Sequence, residues 1–259
     1  MCGIAGFVND MPIDVKCPVL QRMTDMIAHR GPDSEGHYID EHAALGHRRL
    51  SIIDLGGGQQ PIYNEDGSKV ITFNGEIYNY QTLREELIAA GHTFTTKSDT
   101  EVLLHGYEQW GVDLLQRVRG MFTFVIWDKN KQELFGARDH FGIKPFYYAK
   151  MNGTFMYASE IKSLLRHPDF VKELNAEALK PYMTFQYPAI GETFFKGVYK
   201  LPEGHYFTYR DGKMDIHRYY DEDFREGKQK LGELVNSIDQ TVCDSVKAHQ
   251  IADVEVGSF

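Results

Sequence analysis

A chain of 259 residues, 42% apolar and 25% charged, is too long for a single small module and has the composition of a globular protein with ample material for a core. With 28 Lys and Arg against 37 Asp and Glu, a formal charge of -9 and no Lys/Arg-rich run, it lacks the electrostatic footprint of a nucleic-acid binder. Its longest nearly unbroken apolar run, residues 121–127, falls far short of the ~20 residues of a membrane helix, and the first residues lack the basic start and full hydrophobic region of a secretory signal. The chain therefore reads as cytoplasmic, with no membrane and no nucleic acid among its partners.

In chain order, residues 2–8 read as a short buried strand and residues 19–29 as a helix with Leu20, Met23 and Ile27 on one face. Arg30-Gly31-Pro32-Asp33 ends that helix, as Gly-Pro should. Strands follow at 43–47, 69–74, 121–128, 133–137, 146–150 and 155–158, all rich in aromatic and β-branched residues. Between them lie helices at 80–90, with Leu83 and Leu87 inward, and at 99–110, opened by a Ser98-Asp99-Thr100-Glu101 stretch suited to capping. Strand runs interrupted by helices, without βαβ alternation, predict an α+β fold of mainly antiparallel sheets with helices packed outside.

After about Tyr220 the texture changes. Tyr-rich strands give way to a charged stretch at 221–230, then to an amphipathic helix carrying Leu231, Leu234, Ile238, Val242 and Val246, then to a strand pattern at 254–259. A main domain over residues 2–220 and a cut-short second domain over 221–259 are expected, because a native domain rarely stops on an apolar strand. The three cysteines match neither a disulfide scaffold nor a zinc site; Cys17 and Cys243, each among apolar helical neighbours, are expected to be small buried hydrophobes. No HExxH occurs among the 11 histidines, and no metal ligand set is assigned.

Cys2 stands apart because removal of Met1 would leave one residue carrying both a thiol and a free α-amine, a nucleophile with its own base. Three motifs follow it in order: Arg48-Arg49-Leu50-Ser51-Ile52-Ile53-Asp54, Asn74-Gly75-Glu76-Ile77-Tyr78-Asn79 and Ser98-Asp99-Thr100-Glu101-Val102. Each has a bland reading by itself. Arg49 could be a surface cation, Asn74-Gly75 a hairpin turn and Asp99 a helix cap. Taken together with His29-Arg30-Gly31-Pro32-Asp33, Arg119-Gly120-Met121-Phe122 and the stretch from Ala137 to Pro145, they make the chain resemble the class II glutamine amidotransferases, and within them the glutamine-hydrolysing asparagine synthetases.

The resemblance implies L-glutamine as substrate and a four-layer αββα sandwich of the N-terminal nucleophile hydrolase type, followed by the start of an α/β synthetase domain. The residue chemistry agrees with it. Arg49 suits the α-carboxylate, Asp99 with Glu76 the α-ammonium, and Asn74 with the Gly75 N–H the oxyanion of a tetrahedral intermediate. The resemblance also implies that Leu50, Ser51, Ile52 and Ile53 line the pocket, that Cys2 forms a thioester and releases ammonia, and that the protein is a homodimer. No cofactor is expected in this chain; ATP, magnesium and aspartate belong to the synthetase half. The competing readings are an amidotransferase for a sugar, phosphoribosyl or β-lactam-type acceptor, and a non-catalytic glutamine-binding or dimerisation module.

Overall fold

The computed structural model describes residues 2–187, 191–255 and 257. The elements run β1 (Gly3–Val8), α1 (Ile13–Asp25), β2 (Ser34–Ile39), β3 (Ala43–Arg49), β4 (Ile62–Tyr63), β5 (Lys69–Ile77), α2 (Tyr80–Ala89), α3 (Asp99–Trp110), β6 (Gly120–Asp128), β7 (Glu133–Arg138), β8 (Tyr147–Met151), β9 (Thr154–Ala158), α4 (Ile161–Leu164), α5 (Leu179–Phe185), β10 (Val198–Lys200), β11 (His205–Arg210), β12 (Lys213–Arg218) and α6 (Leu231–His249). Every strand pairing is antiparallel. One sheet has the order β10-β8-β9-β1-β3-β2 and the other β12-β11-β7-β6-β5-β4.

The period of two along each strand decides which layer each side chain joins. In β6, Phe122, Phe124 and Ile126 face α2 and α3, packing with Leu83, Leu87 and Leu103. Val125 and Trp127 face the other way, into an inter-sheet core with Ile4, Leu45, Phe155 and Phe207. The first sheet buries its outer face, with Phe7 and Met156, under Leu20 and Met23 of α1. Two sheets back to back, each covered by helices, make the αββα sandwich. Strands covered on both faces read as nearly continuous apolar runs, which is why β1 and β6 stand out in the sequence.

Several expectations are corrected. The first helix begins six residues earlier than the periodicity suggests and contains Pro18; the seating of Val19, Leu20 and Met23 on the sheet outweighs the missing amide, and Ile27 lies in the turn beyond it. Cys17 is exposed, because it lies off the stripe by which α1 meets the sheet, and Cys243 is exposed on α6, none of whose residues is buried. Val254 and Glu255 do not form a strand, and Val256, Ser258 and Phe259 lie outside the described residues. A strand needs a neighbour for its amides, and here the Asp253 N–H donates instead to the Ile52 carbonyl at 2.9 Å. Among the described residues no helix is long and apolar enough to cross a membrane.

Candidate active site

Antiparallel pairing brings the start of β1 beside the end of β3: Gly3 lies opposite Arg48, which sets Cys2 at the level of Arg49 with its thiol against Leu50. The Cys2 thiol sits between the Leu50 carbonyl at 3.5 Å and the Leu50 N–H, which donates to Sγ at 3.4 Å. Its backbone is fixed from the other side. Arg30 Nε donates to the Cys2 carbonyl at 2.9 Å, and Arg30 Nη1 is anchored on Glu160 at 3.0 Å. Burial pushes the thiol above its ordinary pKa, while the Leu50 amide and the nearby Arg49 guanidinium pull it back down. The thiol therefore favours its protonated form.

The second wall is the edge of β5 that β4 leaves uncovered. In an antiparallel ladder, successive N–H groups point to alternate sides. The Phe73 N–H donates to Gln60 Oε1 at 2.6 Å and the Ile77 N–H to Asp99 Oδ2 at 3.0 Å, both away from β6. The Gly75 N–H lies between them on the same edge, and Phe122 opposite it is already bonded to Asp139 through both its N–H and its carbonyl. Gly75 therefore presents its amide to the cavity. Glycine is required there for a further reason: a Cβ would stand 2.2 Å from the Met121 carbonyl oxygen and 2.7 Å from Phe122 Cα.

Asn74 is 1% exposed, and its side-chain Nδ2 has no hydrogen-bond partner among the described residues. Since nearly all buried donors are paired, an orphan that lines a cavity together with a nucleophile is the mark of a site awaiting an anion. Arg49 and Asp99, each 5% exposed, supply the charged groups. Arg49 Nη2 donates to the Ile53 and Asp54 carbonyls at 3.0 and 2.6 Å, which fixes the guanidinium at the cavity wall. Asp99 opens α3, where Ser98 is the cap and accepts the Thr100 N–H. Burial raises its carboxyl to about 7, against the Ile77 N–H that favours the charged form, and neighbouring Glu76 adds to the rise.

These groups meet in one cavity of about 250 Å³ lined by Cys2, Arg49, Leu50, Ile52, Ile53, Asn74, Gly75, Glu76 and Asp99, with Gln60, Ser98, Thr100, Met121 and Lys144. Ser51 does not line it; its N–H donates to Asp33 Oδ2 at 2.8 Å and closes the loop from behind. Gln60 and Lys144 escaped the sequence reading, although Lys144 stands in the motif that ends at Pro145. Asp139 orders that motif by accepting the N–H groups of Phe141, Ile143 and Lys144. Burial lowers the Lys144 ammonium pKa, while Glu76 favours its charged form. Glu76 itself is raised by burial. A separate group of possible metal ligands, Glu65, His92, His105 and Glu108, does not touch the cavity.

A thiol beside an orphaned amide donor, with a cation and an acid at opposite needs of an amino acid, belongs to the chemistry of amide transfer from glutamine. The sequence model of the glutamine amidotransferase domain matches residues 1–220, and the chain belongs to that family. Among individual proteins it is similar to asparagine synthetase [glutamine-hydrolyzing] 1 of Bacillus subtilis, 45% identical over 263 residues, covering 100% of this chain and 42% of that protein. Similarity extends to amidase chry2 of Gibberella zeae, 34% identical over 282 residues, covering 100% of this chain and 40% of that one. The chain thus spans about two-fifths of the length of these relatives. A solved structure of B. subtilis glutamine phosphoribosylpyrophosphate amidotransferase, in complex with ADP and GMP, shares the fold with a TM-score of 0.64 at 18% identity, over 85% of this chain and 50% of that one.

Proposed function

We propose that this chain is the glutaminase half of a glutamine-hydrolysing asparagine synthetase. With Met1 removed, the α-amine of Cys2 takes the thiol proton and Sγ attacks the side-chain amide carbon of glutamine. Negative charge on the amide oxygen is met by Asn74 Nδ2 and the Gly75 N–H. The proton then passes to the departing nitrogen, ammonia leaves, and a glutamyl thioester remains on Cys2. Water attacks the thioester, releasing glutamate and restoring the thiol. Arg49 holds the α-carboxylate throughout, and Asp99, aided by Glu76, the α-ammonium.

The observation that carries this reading is the buried Asn74 Nδ2, without a hydrogen-bond partner among the described residues, in the same cavity as the Cys2 thiol, Arg49 and Asp99. In the whole protein the ammonia would attack aspartyl-adenylate, so that aspartate, ATP and magnesium belong to sequence beyond residue 259. The name of the B. subtilis relative supports that acceptor, and we read the helix and linker after residue 220 as the start of the synthetase domain. A cytoplasmic homodimer completes the proposal.

Intact mass combined with glutamate release tests it. Protein lacking Met1 should hydrolyse glutamine, and Cys2→Ala should abolish glutamate formation at saturating glutamine. Equal rates for the two proteins would overturn the assignment.

A further inference from the structure

Residue 253 lies beyond the family match, yet it is bonded at two points to the wall of the glutamine cavity. Asp253 Oδ2 accepts the Asp54 N–H at 2.7 Å, and the Asp253 N–H donates to the Ile52 carbonyl at 2.9 Å. The bonded loop is the one whose Ile53 and Asp54 carbonyls hold Arg49 Nη2. Asp54 has φ 52°, in the left-handed region, which Asp enters more readily than most non-glycine residues when its carboxylate bonds locally. Its carboxylate is spent on the Gly57 and Lys97 N–H groups at 3.1 and 2.8 Å, so its own N–H depends on Asp253. On the other side, the His249 ring at the end of α6 lies 4.2 Å from the Tyr78 ring, centroid to centroid. The segment from His249 to Asp253 thus spans from Tyr78 of the Asn74–Asn79 motif to the Arg49 loop.

We infer that Asp253 is a positioning residue for glutamine: its carboxylate fixes the conformation of residues 52–54, and through their carbonyls it aims the Arg49 guanidinium at the substrate α-carboxylate. This rests on the reading of the cavity as a glutamine site. It also gives the C-terminal segment a direct grip on substrate affinity, since anything that displaces residues 249–253 releases the loop.

The test uses this chain with Asp253→Ala and Asp253→Asn. Loss of the charged acceptor that holds this loop should raise the KM for glutamine about five- to tenfold with kcat within about twofold of the parent. Asp253→Asn should restore KM, because its amide oxygen still accepts the Asp54 N–H. Amide exchange followed by NMR provides a readout independent of turnover: the Asp54 N–H should exchange faster in Asp253→Ala and regain protection in Asp253→Asn. An unchanged KM in Asp253→Ala, a fall confined to kcat, or unchanged exchange at Asp54 would overturn the inference. A parent chain that hydrolyses no glutamine would instead overturn the reading of the cavity, and exchange at Asp54 would still decide whether Asp253 holds the loop.

Discussion

The carboxyl of Asp99 offers the sharpest test of the cavity's electrostatics. Burial moves it from 3.8 to about 7, a rise of about three pH units. At ~1.4 kcal/mol per unit, the empty pocket disfavours the carboxylate by on the order of 4 kcal/mol. At pH 6 the acid is therefore about nine-tenths protonated, and glutamine's ammonium must expel that proton to gain an anionic partner. Two consequences follow from the direction of the shift. Glutamine affinity should fall about tenfold per pH unit below 7, with about one proton released per glutamine bound at pH 6 and almost none at pH 8.5. The ligand-free fold should lose stability as pH rises from about 4 to 7, because the unfolded chain ionises first, and the penalty should be constant above that range. Calorimetry in buffers of different ionisation enthalpy, on the Cys2→Ala protein so that no turnover intervenes, counts the protons directly. Asp99→Asn, which can still accept the Ile77 N–H, should abolish the release, weaken binding, and raise the melting temperature of the ligand-free protein at pH 8. Proton release unchanged by Asp99→Asn, or absent at pH 6 in the parent, would refute the placement of the ammonium on Asp99.

Two further variants separate the catalytic and architectural roles of β5. Asn74→Ala removes the orphaned donor, and glutaminase assays should show kcat lower by about 100- to 1,000-fold with KM changed far less, since the donor meets charge only as it develops. A comparable rise in KM would mean that Asn74 binds the ground state. Gly75→Ala places a methyl against the Met121 carbonyl and should cost about 1–3 kcal/mol, seen in thermal denaturation as a drop of roughly 2–12 °C, together with loss of activity as the β5 amide is displaced. Unaltered stability would show that the edge of the sheet yields more easily than its pairing with β6 suggests.

Much of the candidate site was legible in one dimension, because glutamine, the proposed substrate, dictates its own complement and the residues that match it share one cavity. An α-carboxylate, an α-ammonium and an amide oxygen call for a cation, an acid and hydrogen-bond donors, and Arg49, Asp99 and Asn74-Gly75 stand in motifs that a nucleophile at position 2 makes coherent. Strands covered on both faces also leave a long apolar signature, so β1 and β6 could be read with little error. The misreadings share a cause as well. Periodicity reports one face of a helix but not what covers it, so it assigns Cys17 and Cys243 to the interior when each lies on an open face. Ser51 shares its motif with pocket residues, yet the turn of the loop sends its amide to Asp33.

Residue type and the periods of two and 3.6 are local properties, so the identity of the chemical groups and the class of fold that carries them can be read along the chain. Tertiary structure alone decided which groups face one another. The alternation of the β5 ladder turns the Gly75 amide to the open edge, and burial raises the Asp99 acid. Arg30, Gln60, Lys144 and Asp253 become neighbours of the site only through contacts made far along the chain, such as the 199 residues separating Asp54 from Asp253. Hydrogen-bond direction and desolvation depend on what surrounds a group in space, and no local pattern encodes that.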